Sequence, residues 1–127
     1  MTTLQWQRLC LLAAGISGAA AVGFAAMSAH GMDGQAADWL ERGSRFQLIH
    51  AVVLLVLGMG LGRGRWLKAA SVLFTLGSIL FSGSLYAMAL ASLPVVYLVP
   101  VGGTCFILGW VALAIGALSP GSQDQIT

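Results

Sequence analysis

The chain has 127 residues, of which 58% are hydrophobic and only 8% are charged, and its net charge is +2. An average soluble domain carries about 25% charged residues, so this composition indicates a membrane protein, with one domain over residues 1–127. The small net charge and the scattered Lys and Arg residues exclude a nucleic-acid-binding surface.

The first uncharged run meets the length of roughly 20 residues that a helix needs to cross the hydrocarbon core. Arg8 precedes this run and Ala26-Met27-Ser28 resembles a cleavage site, so a secretory signal peptide is the alternative interpretation. Signal peptides, however, have apolar regions of only about 7 to 15 residues. We therefore predict a membrane-spanning helix.

The second run is shorter and contains Gln47 and His50 near its start. Ser44, followed by Gln47 three residues later, fits a capping box, so this helix is expected to begin near 46 after a separate short helix at the membrane surface. A Gly-Arg turn near 62–66 then leads into the third helix.

From Lys68 to Asp124 there is no charged side chain, a length of about 55 residues that can cross the membrane twice. Pro94 and Pro100 divide this stretch into two helices. The fold class is therefore an all-α membrane protein, an antiparallel bundle of four transmembrane helices. The helices are predicted at about 9–30, 46–62, 67–91 and 101–118.

Two helices carry small residues at helical spacing, which allow close approach of a neighbouring helix in a membrane. In the first helix they are Gly15, Ala19 and Gly23, and in the fourth they are Gly102, Cys105, Gly109 and Gly116. We predict that both stripes pack against other helices.

Lys and Arg are more frequent on one side of the predicted bundle. With four spans, Arg8, Arg63, Arg65 and Lys68 share a side with both termini, whereas Arg42 and Arg45 lie opposite. The positive-inside rule then places both termini in the cytoplasm.

Several polar side chains are expected at a similar depth, in the outer part of the bundle. These candidate site residues are His30, Gln47, His50, Ser82 and Tyr86. Ser82 and Tyr86 continue a polar stripe of the third helix, which is expected to face the bundle interior. The favoured interpretation is a hydrogen bond from His50 to Ser82, Tyr86 or Gln47 that joins helices.

Two ligand-binding alternatives involve the same histidine. His50 and His30, with Met27, Met88 and Cys105, could provide soft ligands for Cu(I), but no metal-binding spacing is present. His50, Ser82 and Tyr86 could also bind a quinone or a lipid headgroup. Neither alternative is specific enough to predict a metal or a cofactor.

Four segments carry a resemblance to a known family. They are Ala29-His30-Gly31, the segment 46–51 (FQLIHA), the segment 80–86 (LFSGSLY), and Pro100-Val101-Gly102-Gly103 followed by Gly109-Trp110. In these segments the chain resembles the YgdD-like family of small bacterial inner-membrane proteins, which also has animal members. The resemblance implies a four-helix protein of the cell inner membrane and no particular activity.

Catalysis has little support, because Asp33, Asp38, Glu41 and Asp124 all lie outside the predicted spans and no nucleophile has a positioned base. Cys10 and Cys105 are predicted near opposite membrane faces, too far apart for a disulfide. We expect a non-enzymatic protein embedded in the lipid bilayer, an accessory or structural subunit that binds other membrane-protein subunits or its own copies. The alternative is a homo-oligomeric transporter or channel with a polar site around His50.

Overall fold

The computed structural model describes residues 1–61 and 64–119, and within them four helices are long and apolar enough to cross a membrane. They are α1 (Thr3–His30), α2 (Gly34–Val56, continued by a π-helical turn at Leu57–Leu61), α3 (Arg65–Ala91) and α4 (Leu98–Leu118). The predicted fold class, an antiparallel bundle of four transmembrane helices, is confirmed.

α1 begins six residues earlier than predicted because a capping box lies at its start. The Gln5 backbone N–H donates to Thr2 Oγ1 over 3.1 Å, and the Thr2 N–H donates to Gln5 Oε1 over 2.8 Å. These two bonds satisfy backbone donors that a helix start otherwise leaves free. The helix therefore extends to the polar residues before the apolar run.

The predicted start of the second helix was wrong. Ser44 does not cap a helix; its hydroxyl donates to the Glu41 carbonyl over 3.0 Å inside a continuous helix that already starts at Gly34. Ser28 Oγ donates to the Ala37 carbonyl over 2.8 Å and ties the end of α1 to the start of α2. The predicted surface helix and the second span are thus one element, and the predicted end at 62 lies outside the described residues.

α3 follows its predicted bounds closely, but a π-helical turn at Ser78–Ser82 interrupts it. Here the Gly83 N–H donates to the Ser78 carbonyl, five residues back. α3 ends at Ala91, and the next residue, Ser92, adopts the left-handed conformation with φ 52°. α4 starts three residues before its predicted start because Pro100 falls within the first turn, where no backbone N–H is required.

Pairing of the helices decides where the interior lies. α1 packs along α2, α3 packs along α4, and α2 contacts mainly the second half of α3. The core between them centres on Leu54, Phe74 and Phe106, whereas Val22, Val101 and Ile107 point outward. An apolar exterior of this kind suits a protein whose surroundings are lipid.

Candidate functional site

Two hydrogen bonds join α2 to the second half of α3. The Tyr86 hydroxyl donates to Gln47 Oε1 over 2.6 Å, and Ser82 Oγ donates to the Gly43 carbonyl over 2.7 Å. All of these polar side chains are buried, and Ser82 is fully shielded. Buried polar groups need such partners, because each unsatisfied group in a membrane interior costs several kcal/mol.

Gly43 creates the space for this contact. A Cβ atom at position 43 would lie only 2.8 Å from Tyr86 Cε1, so a side chain here would push the tyrosine ring away. Phe24 of α1 stacks on the same ring with a centroid distance of 3.9 Å and an interplanar angle of 24°. Tyr86 therefore holds three helices together.

His50 lies just under one turn after Gln47 on α2, and its side chain is directed toward α4. Its Nδ1 is 2.6 Å from the Phe46 carbonyl oxygen, and its Nε2 is 3.2 Å from Trp110 Nε1. Because the indole can only donate, Nε2 must accept, and the proton of a neutral imidazole then sits on Nδ1 and bonds to the carbonyl. Both ring nitrogens are thus engaged.

Aromatic rings surround the same imidazole. Phe106 stacks on it at a centroid distance of 3.7 Å and an angle of 9°, and Phe74 lies 5.3 Å away. Trp110 approaches edge-on at 5.9 Å. The expectation that His50 bonds to Ser82, Tyr86 or Gln47 was wrong. Gln47 and His50 leave α2 in different directions, so Gln47 reaches α3 and His50 reaches α4.

The five candidate site residues therefore do not form one site. Gln47, Ser82 and Tyr86 form the α2–α3 contact, whereas His50 belongs to an aromatic cluster with α4. His30 is exposed at the end of α1. In the described parts of the chain, no three His, Cys, Asp or Glu side chains are grouped so as to hold a metal ion.

The small residues of α4 lie against α3. A Cβ at Gly102 would come within 2.2 Å of the Phe81 backbone nitrogen, one at Gly109 within 2.5 Å of Phe74 Cε1, and one at Gly116 within 3.1 Å of Trp66 Cβ. Cys105, the other predicted member of this stripe, is only half-buried. The next residue, Phe106, is buried in its place. The close approach of backbones is what small residues permit in membranes.

The small-residue stripe of α1 is placed differently. α1 buries Cys10, Ala14, Ser17 and Ala21 against the rest of the chain. Gly15, Ala19 and Gly23 are exposed, and a Cβ at Gly15 or Gly23 would meet no described atom within 4 Å. This stripe therefore does not pack inside the described chain. Because α1 is apolar on all sides, the spacing alone did not identify its buried face.

An open cleft of about 680 Å³ separates α1 from α3. Trp6 lines one end, and Phe24, Gln47 and Tyr86 line the other. The polar stripe of the third helix faces this cleft, but its hydroxyls turn to carbonyls one turn back. Ser71 Oγ donates to Leu67 O, Thr75 Oγ1 to Ser71 O and Ser78 Oγ to Phe74 O, over 2.8, 2.9 and 2.9 Å. The cleft therefore presents a mainly apolar wall.

Sequence reasoning missed Gly43, Phe24 and the role of Trp110. Gly43 had a usable signal, since it lies four residues before Gln47 on the same helical face and a mid-helix glycine often marks close packing. Trp110 is 46% exposed, and its indole N–H donates to His50. Phe24 carried no signal, because its partner is distant in sequence.

Comparison with known proteins gives a consistent assignment. A family profile described as "Protein of unknown function (DUF423)" matches residues 24–103. The chain is 36% identical over 118 residues to the UPF0382 inner membrane protein YgdD of Escherichia coli K12, covering 87% of this chain and 90% of that protein.

Two further relatives come from other bacteria. A UPF0382 membrane protein of Haemophilus influenzae is 34% identical over 108 residues, covering 80% of this chain and 87% of its own length. The UPF0382 membrane protein SERP0230 of Staphylococcus epidermidis is 37% identical over 108 residues, covering 77% and 85%. No solved structure matches. Family profile and relatives agree, and the chain belongs to the DUF423 family of membrane proteins of unknown function.

Proposed function

We propose that this protein is a non-enzymatic accessory subunit that binds a transmembrane helix of another membrane protein through the exposed small-residue stripe of α1. The observation that carries this proposal is the placement of Gly15, Ala19 and Gly23 on the side of α1 that no described part of the chain covers. In lipid, helices associate mainly by close packing, and small side chains allow it.

The rest of the chain supports a binding role. The described residues consist almost entirely of membrane helices joined by short connections, so little mass lies outside the bilayer. The acids within this region, Asp33, Asp38 and Glu41, lie between α1 and α2 or in the first turns of α2, away from the buried histidine. Hydrolytic catalysis needs a general base beside a nucleophile. The positions of these acids do not support such a pair.

Residue-specific crosslinking tests the proposal. A photo-crosslinking amino acid at Ala19 should join the protein to a defined membrane partner in native membranes, whereas the same group at Ile107 of α4, which is 65% exposed, should not. The double change Gly15→Ile and Gly23→Ile should abolish the crosslinked product and leave thermal stability unchanged, since these positions have open space.

Val22→Leu, on a neighbouring exposed face of α1, is the matched control and should keep the product. The mass of the product separates a foreign subunit from a second copy of this chain. Equal crosslinking from Ala19 and Ile107, or a product that survives the double change, would contradict the proposal.

No comparable observation supports the alternative, a transporter or channel with a polar site around His50. The lone pair on His50 Nε2 already accepts from Trp110, and the Nδ1 proton bonds to the Phe46 carbonyl. The hydroxyls of Ser71, Thr75 and Ser78 are likewise used within α3. A polar route needs groups that are free to bind a solute or water.

A further inference from the structure

The α1–α3 cleft has the dimensions of a lipid chain. Its lining extends from Trp6 to Phe24 along α1, which at 1.5 Å per residue is about 27 Å. The hydrocarbon core of a bilayer is about 30 Å thick, so the cleft runs through most of the apolar layer. Its volume of about 680 Å³ falls within the range of about 300 to 1,000 Å³ that is typical of small-molecule sites.

A transmembrane helix is too wide to enter this open cleft, although it could pack over its mouth. With a diameter of about 10 Å, a helical segment of the same length occupies on the order of 2,000 Å³, about three times the cleft volume. An acyl chain is much narrower and can follow the apolar wall formed by Leu9, Ile16, Val72 and Leu76. Filling such a gap restores the dispersion contacts that an empty cleft would lose.

Among the described residues, one end of the cleft carries basic side chains and no acidic ones. Lys68 Nζ lies 5.7 Å from the ring centroid of Trp6, the residue that lines this end. Arg8 and Arg65 lie at the same end of the bundle. The ion pair found in the described part of the chain joins Arg45 to Glu41 at the opposite end, near Asp33 and Asp38. This end is therefore complementary to an anion. A phosphate group next to Lys68 would supply the negative charge that this end of the cleft lacks among the described residues.

We propose that the α1–α3 cleft binds one anionic phospholipid, with an acyl chain between α1 and α3 and the phosphate at Lys68 and Trp6. The acyl chain provides the apolar contact, and the headgroup fixes the orientation of the lipid. This site is separate from the exposed stripe of α1, so it does not rest on the proposed function.

Native mass spectrometry of the full-length protein in mild detergent tests this site with two probes, phosphatidylglycerol and phosphatidylcholine. One phosphatidylglycerol per chain should bind, and phosphatidylcholine should bind several-fold more weakly. Lys68→Gln should weaken phosphatidylglycerol binding by on the order of fivefold, as expected for one basic residue near a lipid headgroup. Arg65→Gln, whose side chain lies over Trp66 instead, is the matched control and should have a smaller effect.

A second pair of variants tests the cleft itself. Val72 lines the cleft and Val111 faces outward on α4, and both are 46% exposed. Val72→Trp should fill the cleft and abolish lipid binding, whereas Val111→Trp should leave it unchanged. Circular dichroism and thermal unfolding verify that both variants are folded.

Three outcomes would overturn the proposal. Equal binding of the two lipids would show that Lys68 does not recognise the phosphate. Full lipid binding by the Val72→Trp variant would show that the lipid does not bind in the cleft. A lipid-free dimer that Val72→Trp converts to a monomer would show that a second copy of the chain occupies the cleft.

Discussion

His50 is a buried imidazole whose two nitrogens are both used within the bundle. Nδ1 donates to the Phe46 carbonyl of its own helix, and Nε2 accepts from Trp110 of α4. A metal ion could bind Nε2 only by displacing the indole N–H, because one lone pair serves one partner. The side chain is thus a structural link between α2 and α4.

Substitution of His50 tests this role. His50→Gln can still accept from Trp110, so we expect it to retain most of the thermal stability, whereas His50→Leu leaves the indole N–H without an acceptor and should cost on the order of 1 kcal/mol. A double-mutant cycle with Trp110→Phe should give a coupling energy of about 0.6 to 1.7 kcal/mol. Stability of the wild-type protein that falls on addition of a chelator would instead indicate a bound metal.

Tyr86 is expected to contribute a similar hydrogen bond. Tyr86→Phe keeps the ring that stacks on Phe24 but leaves Gln47 Oε1 buried without its donor. We predict a loss of about 1 to 2 kcal/mol in the free energy of unfolding, measured by thermal or denaturant unfolding in detergent. The control Tyr97→Phe, at a tyrosine that is 64% exposed, should change stability little, and equal effects of the two changes would contradict this account.

At the scale of elements, the packing of α3 against α4 depends on the close approach of their two backbones. The π-helical turn at Ser78–Ser82 lies where α3 meets the start of α4, and Phe81 within it contacts Gly102. An inserted residue of this kind changes the direction of the side chains that follow. The same turn contains Ser82, which bonds to Gly43 of α2, so it contributes to two helix contacts.

Two adjacent glycines of α4 provide a matched test of this packing. A Cβ at Gly102 would lie 2.2 Å from the Phe81 backbone nitrogen, whereas at Gly103 the nearest atom is the flexible Phe81 ring at 3.8 Å. Gly102→Ala should therefore destabilise the bundle by about 1 to 3 kcal/mol, while Gly103→Ala should be neutral or stabilising through the higher helix propensity of Ala. Similar unfolding temperatures for the two variants would contradict the close packing of α3 and α4.

At the scale of the whole molecule, four spans predict that both termini lie on one side of the membrane, and the Lys and Arg distribution predicts that this side is the cytoplasm. The ends that carry Arg8, Arg65 and Lys68 are expected to face inward, and the end with Arg42 and Arg45 outward. A C-terminal reporter that fluoresces only in the cytoplasm should therefore be active. Activity of a reporter that works only outside the cytoplasm would reverse this topology.

The sequence was sufficient to predict the membrane environment, the number of spans and the C-terminal ends of α1, α3 and α4. These follow from local properties: uninterrupted apolar length, the scarcity of charge, and the breaks near Pro94 and Pro100. Errors occurred where two local signals conflicted. Ser44 and Gln47 fit a capping box, yet the helix continued through them, because the buried face of α2 includes Leu40 and Gly43 on the N-terminal side.

Which polar side chains meet was decided only by the tertiary structure. Gln47 and His50 are less than one helical turn apart, and the small angle between them sends one to Tyr86 on α3 and the other to Trp110 on α4. The same holds for small residues, since the stripe of α4 is buried against α3 and the stripe of α1 is exposed. Spacing along a helix defines a face, but the arrangement of neighbouring helices determines what that face contacts.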